Sequence, residues 1–298
     1  MIVRSRPGLL TLFFVLKGSV ILRTWPQLFA VGLLSVVVVA AHRQAPQIVP
    51  GINPTPLTLI GIALSVFLSF RNNACYDRWW EARKLWGQII QSARDIARQT
   101  AVLDERRSET TPERREILTA IIGFAYASVG QLRQKTLARQ AGEPALFAEP
   151  ADRILHAVAL QVGRLLRQDR LRSVEALGLN DSLSQLTQAL VGCERLSNTP
   201  LPFAYTLLLH RTAYLFCFLL PFGLADMLGW ATPLAAMLVA YTFFGLDALG
   251  EELEEPFGML PNSLPISAFA TMIEIHLRSA MGETDLPPVP VPTDYVLT

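Results

Sequence analysis

Four stretches of this 298-residue chain are almost free of charge and long enough to cross a lipid bilayer, which constrains the fold more than any other feature. Residues 24–42 hold no Lys, Arg, Asp or Glu and include LFAVGLLSVVVVAA. Residues 44–70 are again uncharged, open on a polar, Pro-rich loop and end in LTLIGIALSVFLSF. Residues 201–225 are interrupted only by His210 and Arg211, and residues 227–246 carry no charge at all. A hydrocarbon core about 30 Å thick takes roughly 20 residues of helix. Inside it every backbone N–H and C=O must find its partner within the protein, which a helix achieves by itself. The composition agrees: 51% of residues are hydrophobic and 17% charged, against roughly a quarter charged in a soluble domain. An all-α membrane protein with four transmembrane helices is the expectation, with lipid as one partner.

At Arg71 the character changes. Residues 71–200 hold 19 of the 26 basic and 15 of the 25 acidic residues, so this segment faces water. Trp86, Ile89, Ile90, Ala93 and Ala97 recur at helical spacing. No Gly or Pro interrupts residues 62–86, so the second membrane helix is expected to continue unbroken into this domain. Breaks are expected at DERRSETTPERRE, which ends in a Thr-Pro helix start, and near RQAGEPALFAEPAD. The resulting division is 1–23, an amphipathic N-terminal helix; 24–70, transmembrane helices 1 and 2; 71–200, a cytoplasmic helical domain; 201–250, transmembrane helices 3 and 4; and 251–298, a cytoplasmic segment with a Pro-rich tail that is extended or disordered. Arg4, Arg6, Lys17 and Arg23 precede the first span and Arg71, Arg78, Arg83 and Lys84 follow the second, whereas the opposite loops carry one Arg between them. Positive charge stays inside. Both termini and the central domain are therefore expected in the cytoplasm, with the chain multi-pass in a bacterial inner membrane.

Other classes lack support. The net charge of +1 marks no nucleic-acid binder. Cys75, Cys193 and Cys217 lie far apart and odd in number, which suits free thiols rather than a disulfide frame or metal knuckle. No nucleophile elbow, phosphate loop or His-x-x-x-His occurs, so no enzyme and no cofactor are expected. His210 beside Arg211 reads as a structural histidine.

The segment FRNNACYDRWWEARKLWG, residues 70–87, closely resembles the hallmark of bacterial bestrophins. CERLSNTPLPFAYTLLLHRTAYLFC (193–217) and LDALGEELEEPFG (246–258) resemble further blocks of that family in order and spacing. The resemblance implies a homopentamer around a central pore lined by helix 2. Animal members are calcium-activated anion channels, and bacterial relatives are similar to cation-permeable ones. A channel for monovalent cations (sodium or potassium) is therefore the leading expectation, with an anion (chloride) channel or a non-conducting scaffold of the same fold as alternatives.

Ile62, Val66 and Phe70 stand at i, i+4 and i+8, one line along a helix, and match the family's hydrophobic neck. Five copies would make three apolar rings, which gate by dewetting. Below them Arg71, Asn72, Asn73, Asp77 and Arg78 suit either a polar pore lining or inter-helix hydrogen bonds and ion pairs, with Asn72 and Asn73 the lining candidates. Trp79, Trp80 and Trp86 read as interfacial anchors or core. Leu177 is the match by spacing for a second, cytoplasmic constriction. Glu251, Glu252, Glu254 and Glu255 are expected to cap helices or pair with arginines of the central domain. The stretch that follows Pro-Phe-Gly, Met259 to Ser263, has none of the carboxylates a hard cation needs. Hence no metal and no calcium activation are expected.

Overall fold

A computed structural model describes residues 1–4, 8, 15, 18–45, 47, 52–104, 110–141 and 150–298, the side chains of 137–141 and 150 excepted. Among these, the regular structure is helical: α1 (Ile21–Gln44), α2 (Pro54–Gln99), α3 (Pro112–Ala141), α4 (Pro150–Arg167), α5 (Ser173–Asn198), α6 (Phe203–Leu228), α7 (Thr232–Glu254) and α8 (Ile266–Ala280). Single 3-10 turns occupy Thr100–Asp104 and Gly229–Ala231. The expected amphipathic helix over residues 1–23 falls largely outside the described residues, and α1 begins at Ile21.

Two compact units divide the chain, one made of Ser5–Arg78 and Pro200–Glu254, the other of Met1–Arg4, Trp79–Thr199 and Glu255–Thr298. The division on α2 thus follows Arg78 rather than Arg71. As expected from the absence of Gly and Pro over residues 62–86, the helix is continuous there, and α2 runs unbroken for 46 residues, about 70 Å at 1.5 Å per residue.

Among the described residues, three helical stretches are long and apolar enough to cross a membrane: Ile21–Gln44, Pro54–Asp104 and Phe203–Glu254. The last is two helices. Gly229, at a φ of +50° that an L side chain resists, turns the chain between α6 and α7. Phe216 of α6 meets Phe243 of α7 edge-on at 5.2 Å between ring centres, so the two fold back on each other. Leu57, Leu64 and Leu68 of α2 join them in one apolar cluster. Small residues set the spacing: a Cβ on Gly32 of α1 would lie 2.6 Å from the Met237 sulfur of α7.

The second unit packs like a soluble core. Trp86, Ile89, Ile96, Ile117, Ile121, Phe124 and Leu132 are fully buried, and Trp86 meets Phe269 of α8 at 6.1 Å. Helix α4 shows the amphipathic rule plainly, burying Ala151, Leu155, Val158, Val162 and Leu165 at alternating steps of four and three. Between extended and disordered, the structure decides the tail's conformation. Ile2 pairs with Val296 in an antiparallel bridge, the Ala268 amide donates to the Thr298 carbonyl at 2.9 Å, and the Arg4 guanidinium sits 4.7 Å from the Tyr295 ring centre.

Candidate functional site

The site is built on α2, and its logic is a division of faces. Leu57, Leu64, Leu68, Arg71 and Cys75 are buried, a stripe repeating every three, four or seven residues. Ile62, Val66 and Phe70 lie off that stripe and are 58%, 49% and 61% exposed. The chain therefore leaves a line of apolar side chains about half exposed or more. Such a line needs lipid or another copy of the chain to cover it.

One turn beyond Phe70 the line continues through Asn73 and Asp77, both exposed. The structure thus separates the two adjacent asparagines. A step of one residue is about 100° of helix, and it turns Asn72 toward α7, where its Oδ1 is buried without a hydrogen-bond partner. A Cβ on Gly250 would lie 2.5 Å from that oxygen, so the two helices approach closely here and a larger residue would have to displace Asn72. Asn73 lies in register with Ile62, Val66 and Phe70; Asn72 does not. Leu177, in the second unit, is 69% exposed near the start of α5, beside Val174.

Behind the exposed line is a network of ion pairs that joins α1, α2, α6 and α7. The fully buried Arg71 donates through Nη1 to Asp247 Oδ1 at 2.5 Å, and its Nη2 lies 3.6 Å from Glu254 Oε2. His210 Nδ1 stands 2.7 Å from the other Asp247 oxygen, and its ring packs on Tyr214 at 4.5 Å. Arg23 binds Glu251 at 2.8 Å and Glu252 at 3.4 Å. The Arg78 Nε donates to the Glu254 carbonyl at 3.4 Å.

Of the two readings offered for Arg71, the structure shows the ion pair. The residue is buried in a pair with Asp247 because a charge so close to the apolar helices needs a counter-charge. Of the four glutamates expected to cap helices or pair with the central domain's arginines, Glu254 lies 3.6 Å from Arg71, while Glu251 and Glu252 pair with Arg23 of α1. Both signals were present in the sequence: Arg71 ends one uncharged span and Asp247 ends another.

A polar cavity of about 190 Å³ opens on this network, lined by Arg23, Gln27, His210, Tyr214, Asp247 and Glu251 among others. His210, Asp247 and Glu251 bring ligand-type atoms within 4.8 Å of one another. Each carboxylate, however, already holds a guanidinium, Arg71 on Asp247 and Arg23 on Glu251. The arrangement is an electrostatic clasp between helices rather than an open ligand set.

The family model for bacterial and fungal bestrophin proteins matches residues 1–279. A voltage-dependent anion channel-forming protein of Mesorhizobium japonicum is 44% identical over 99% of this chain and 96% of its own length. One from Salmonella typhi with the same descriptive name is 39% identical over the full length of both. Among solved structures, a bacterial bestrophin homolog from Klebsiella pneumoniae superposes with a TM-score of 0.78 at 34% identity, over 88% of this chain and 98% of that one.

Proposed function

The chain belongs to the bacterial bestrophin family, and from that membership we propose that it is an anion-conducting membrane channel, a homopentamer whose pore is lined by α2. Ile62, Val66 and Phe70 form its neck. The α1, α2, α6 and α7 helices make four passes through the inner membrane, and both termini and the second unit lie in the cytoplasm.

The observation that carries this reading is the pair of faces on α2. Leu57, Leu64 and Leu68 are buried within the protomer, while Ile62, Val66 and Phe70 on a separate line stay exposed. Arranged about an axis, that line becomes stacked apolar rings. A narrow ring holds no continuous water, so an ion passes only when the ring widens or wets.

The ion assignment corrects the expectation of monovalent cations. Relatives 44% and 39% identical over nearly whole chains are named for anions, and this supports the alternative raised from the sequence. The physical reason for the error is that the cation reading had no residue behind it. A ring of Ile, Val or Phe carries no charge, and a net charge of +1 over 298 residues sets no sign for the permeant ion.

Purified protein in a planar bilayer under a potassium chloride gradient tests the proposal. The reversal potential should follow chloride, without added calcium, since no carboxylate lies between Met259 and Ser263. A potential that follows potassium would refute the ion assignment. A detergent-solubilised particle of one or two copies would refute the pore.

A further inference from the structure

We propose that Asp77 sets the anion throughput and the voltage asymmetry of this pore, as a ring of fixed negative charge on the inner side of the neck. The proposal rests on the channel reading above and assigns a role to a residue that the neck alone does not use.

The charged side chains that follow the neck on α2 have three different fates. Arg71 is fully buried on Asp247. Arg78 is half-buried and donates to the Glu254 carbonyl. Asp77 is exposed, and no ion pair or hydrogen bond to it is found among the described residues. It also continues the line of Phe70 and Asn73 at helical spacing. Both cations are thus drawn toward α7, and the acid alone is left on the face that carries the neck.

Distance makes that charge matter. Phe70 and Asp77 are seven residues apart, roughly 10 Å along the axis at 1.5 Å per residue. This is close to the screening length of about 8 Å at physiological salt and well inside the roughly 30 Å at 0.01 M. Low-dielectric walls focus such a field, and fixed charges of one sign in a cleft change the local ion concentration by about tenfold or more. Five carboxylates would deplete anions at the inner mouth. The other end of the neck has no counterpart on α2, because residues 54–61 carry no charge. A barrier on one side only makes flux depend on the direction of the applied voltage.

The test compares wild type with Asp77→Asn and Asp77→Arg in planar bilayers under potassium chloride, at low and at physiological ionic strength. The exposed position predicts that all three elute as the same oligomer. Asp77→Asn should raise chloride conductance at least threefold at low salt, on the order expected for removing such a field. The gain should shrink at higher salt, and the current–voltage curve should become more symmetric. Asp77→Arg should reverse the asymmetry. An anion-selective wild type whose conductance and asymmetry are unchanged in both variants overturns the role of Asp77 and leaves the channel reading standing. A wild type whose reversal potential follows potassium, with a current that falls in Asp77→Asn, overturns the anion reading itself.

Discussion

The two halves of α2 are one continuous helix in two environments. From Leu57 to Cys75 its buried positions form a single narrow stripe, and Leu59, Ile60, Ile62, Val66, Phe67 and Phe70 all stay exposed. From Ala82 to Ala97 the buried set is Ala82, Trp86, Ile89, Ser92, Ala93, Ile96 and Ala97, apolar but for one small hydroxyl, and the exposed positions are Lys84, Gln91 and Arg94. The second half obeys the rule for water, in which apolar residues go in and charges stay out. The first half reverses it, burying an arginine and exposing the large apolar side chains. In lipid, or against a second copy of the chain, exposed apolar surface carries no penalty while the cost of a charge rises, so the charge is the group that must be buried and paired.

The contrast predicts that truncation destabilises the protein at the buried positions of the second half and leaves stability nearly unchanged along the exposed line of Ile62, Val66 and Phe70. The largest effect belongs to Trp86→Ala. Trp86 is fully buried among α2 and α8 side chains, and such a cavity costs about 3–5 kcal/mol. Thermal melts of the detergent-solubilised protein should show a loss of that order. A change under 1 kcal/mol would mean that the second half is not packed as a soluble core.

Arg71→Met comes next, from the opposite half. It leaves Asp247 buried with only His210 beside it. Breaking a buried pair from one side costs roughly 3–5 kcal/mol, and the lower end applies here because His210 still holds one carboxylate oxygen. The Arg71→Met, Asp247→Asn double variant should recover part of the loss. If it is no better than the single variant, the pair is not what burial of Arg71 depends on.

A smaller effect is expected from Asp104 in the second unit. Burial pulls its carboxyl upward, but hydrogen bonds from the Thr111 amide and from the Arg114 and Thr111 side chains outweigh it, and the group titrates below its usual 3.8. A depressed carboxyl contributes stability above its unfolded value and loses it as pH falls through the folded one. Wild type should therefore lose melting temperature on acidification below about pH 4, the ordinary aspartate range. Asp104→Asn should start lower and show a flatter acid limb. Parallel acid limbs would remove this clamp from the account.

What the sequence disclosed follows from which signals are one-dimensional. The charge-free runs required helices of membrane length, and the Gly229 turn divides the last two near the break at Asp226. The unbroken run from Ile62 to Trp86 required continuity of α2, and the Thr-Pro pair placed the start of α3 at Pro112. Direction around the helix was harder to read. Two apolar lines coexist on α2, Leu57–Leu64–Leu68 and Ile62–Val66–Phe70, and hydropathy alone does not say which one meets a neighbour. That ambiguity is why Asn72 and Asn73 could not be told apart, although Arg71 held the answer: a buried arginine fixes the inward face, and Asn73 is then turned away. Leu177 is an exposed leucine with exposed Val174 nearby, a pattern that spacing cannot distinguish from other surface turns.

The smallest effect on stability, and the sharpest test of the contrast, is the triple replacement of Ile62, Val66 and Phe70 by alanine. If these side chains were core, removing them would create cavities in every subunit at several kcal/mol each. At about half exposure or more in the protomer they have few internal contacts to lose, so the melting temperature should move by no more than a degree or two, against many for Trp86→Ala. Current should move the other way. Removing apolar bulk from three stacked rings widens the bore over two turns of helix, lets water remain continuous and lowers the barrier to dehydration. A stable oligomer with raised single-channel current is the expected result. Disassembly on size exclusion with no rise in current would show that the line packs against a neighbouring helix, and the neck would then have to be sought on another face of α2.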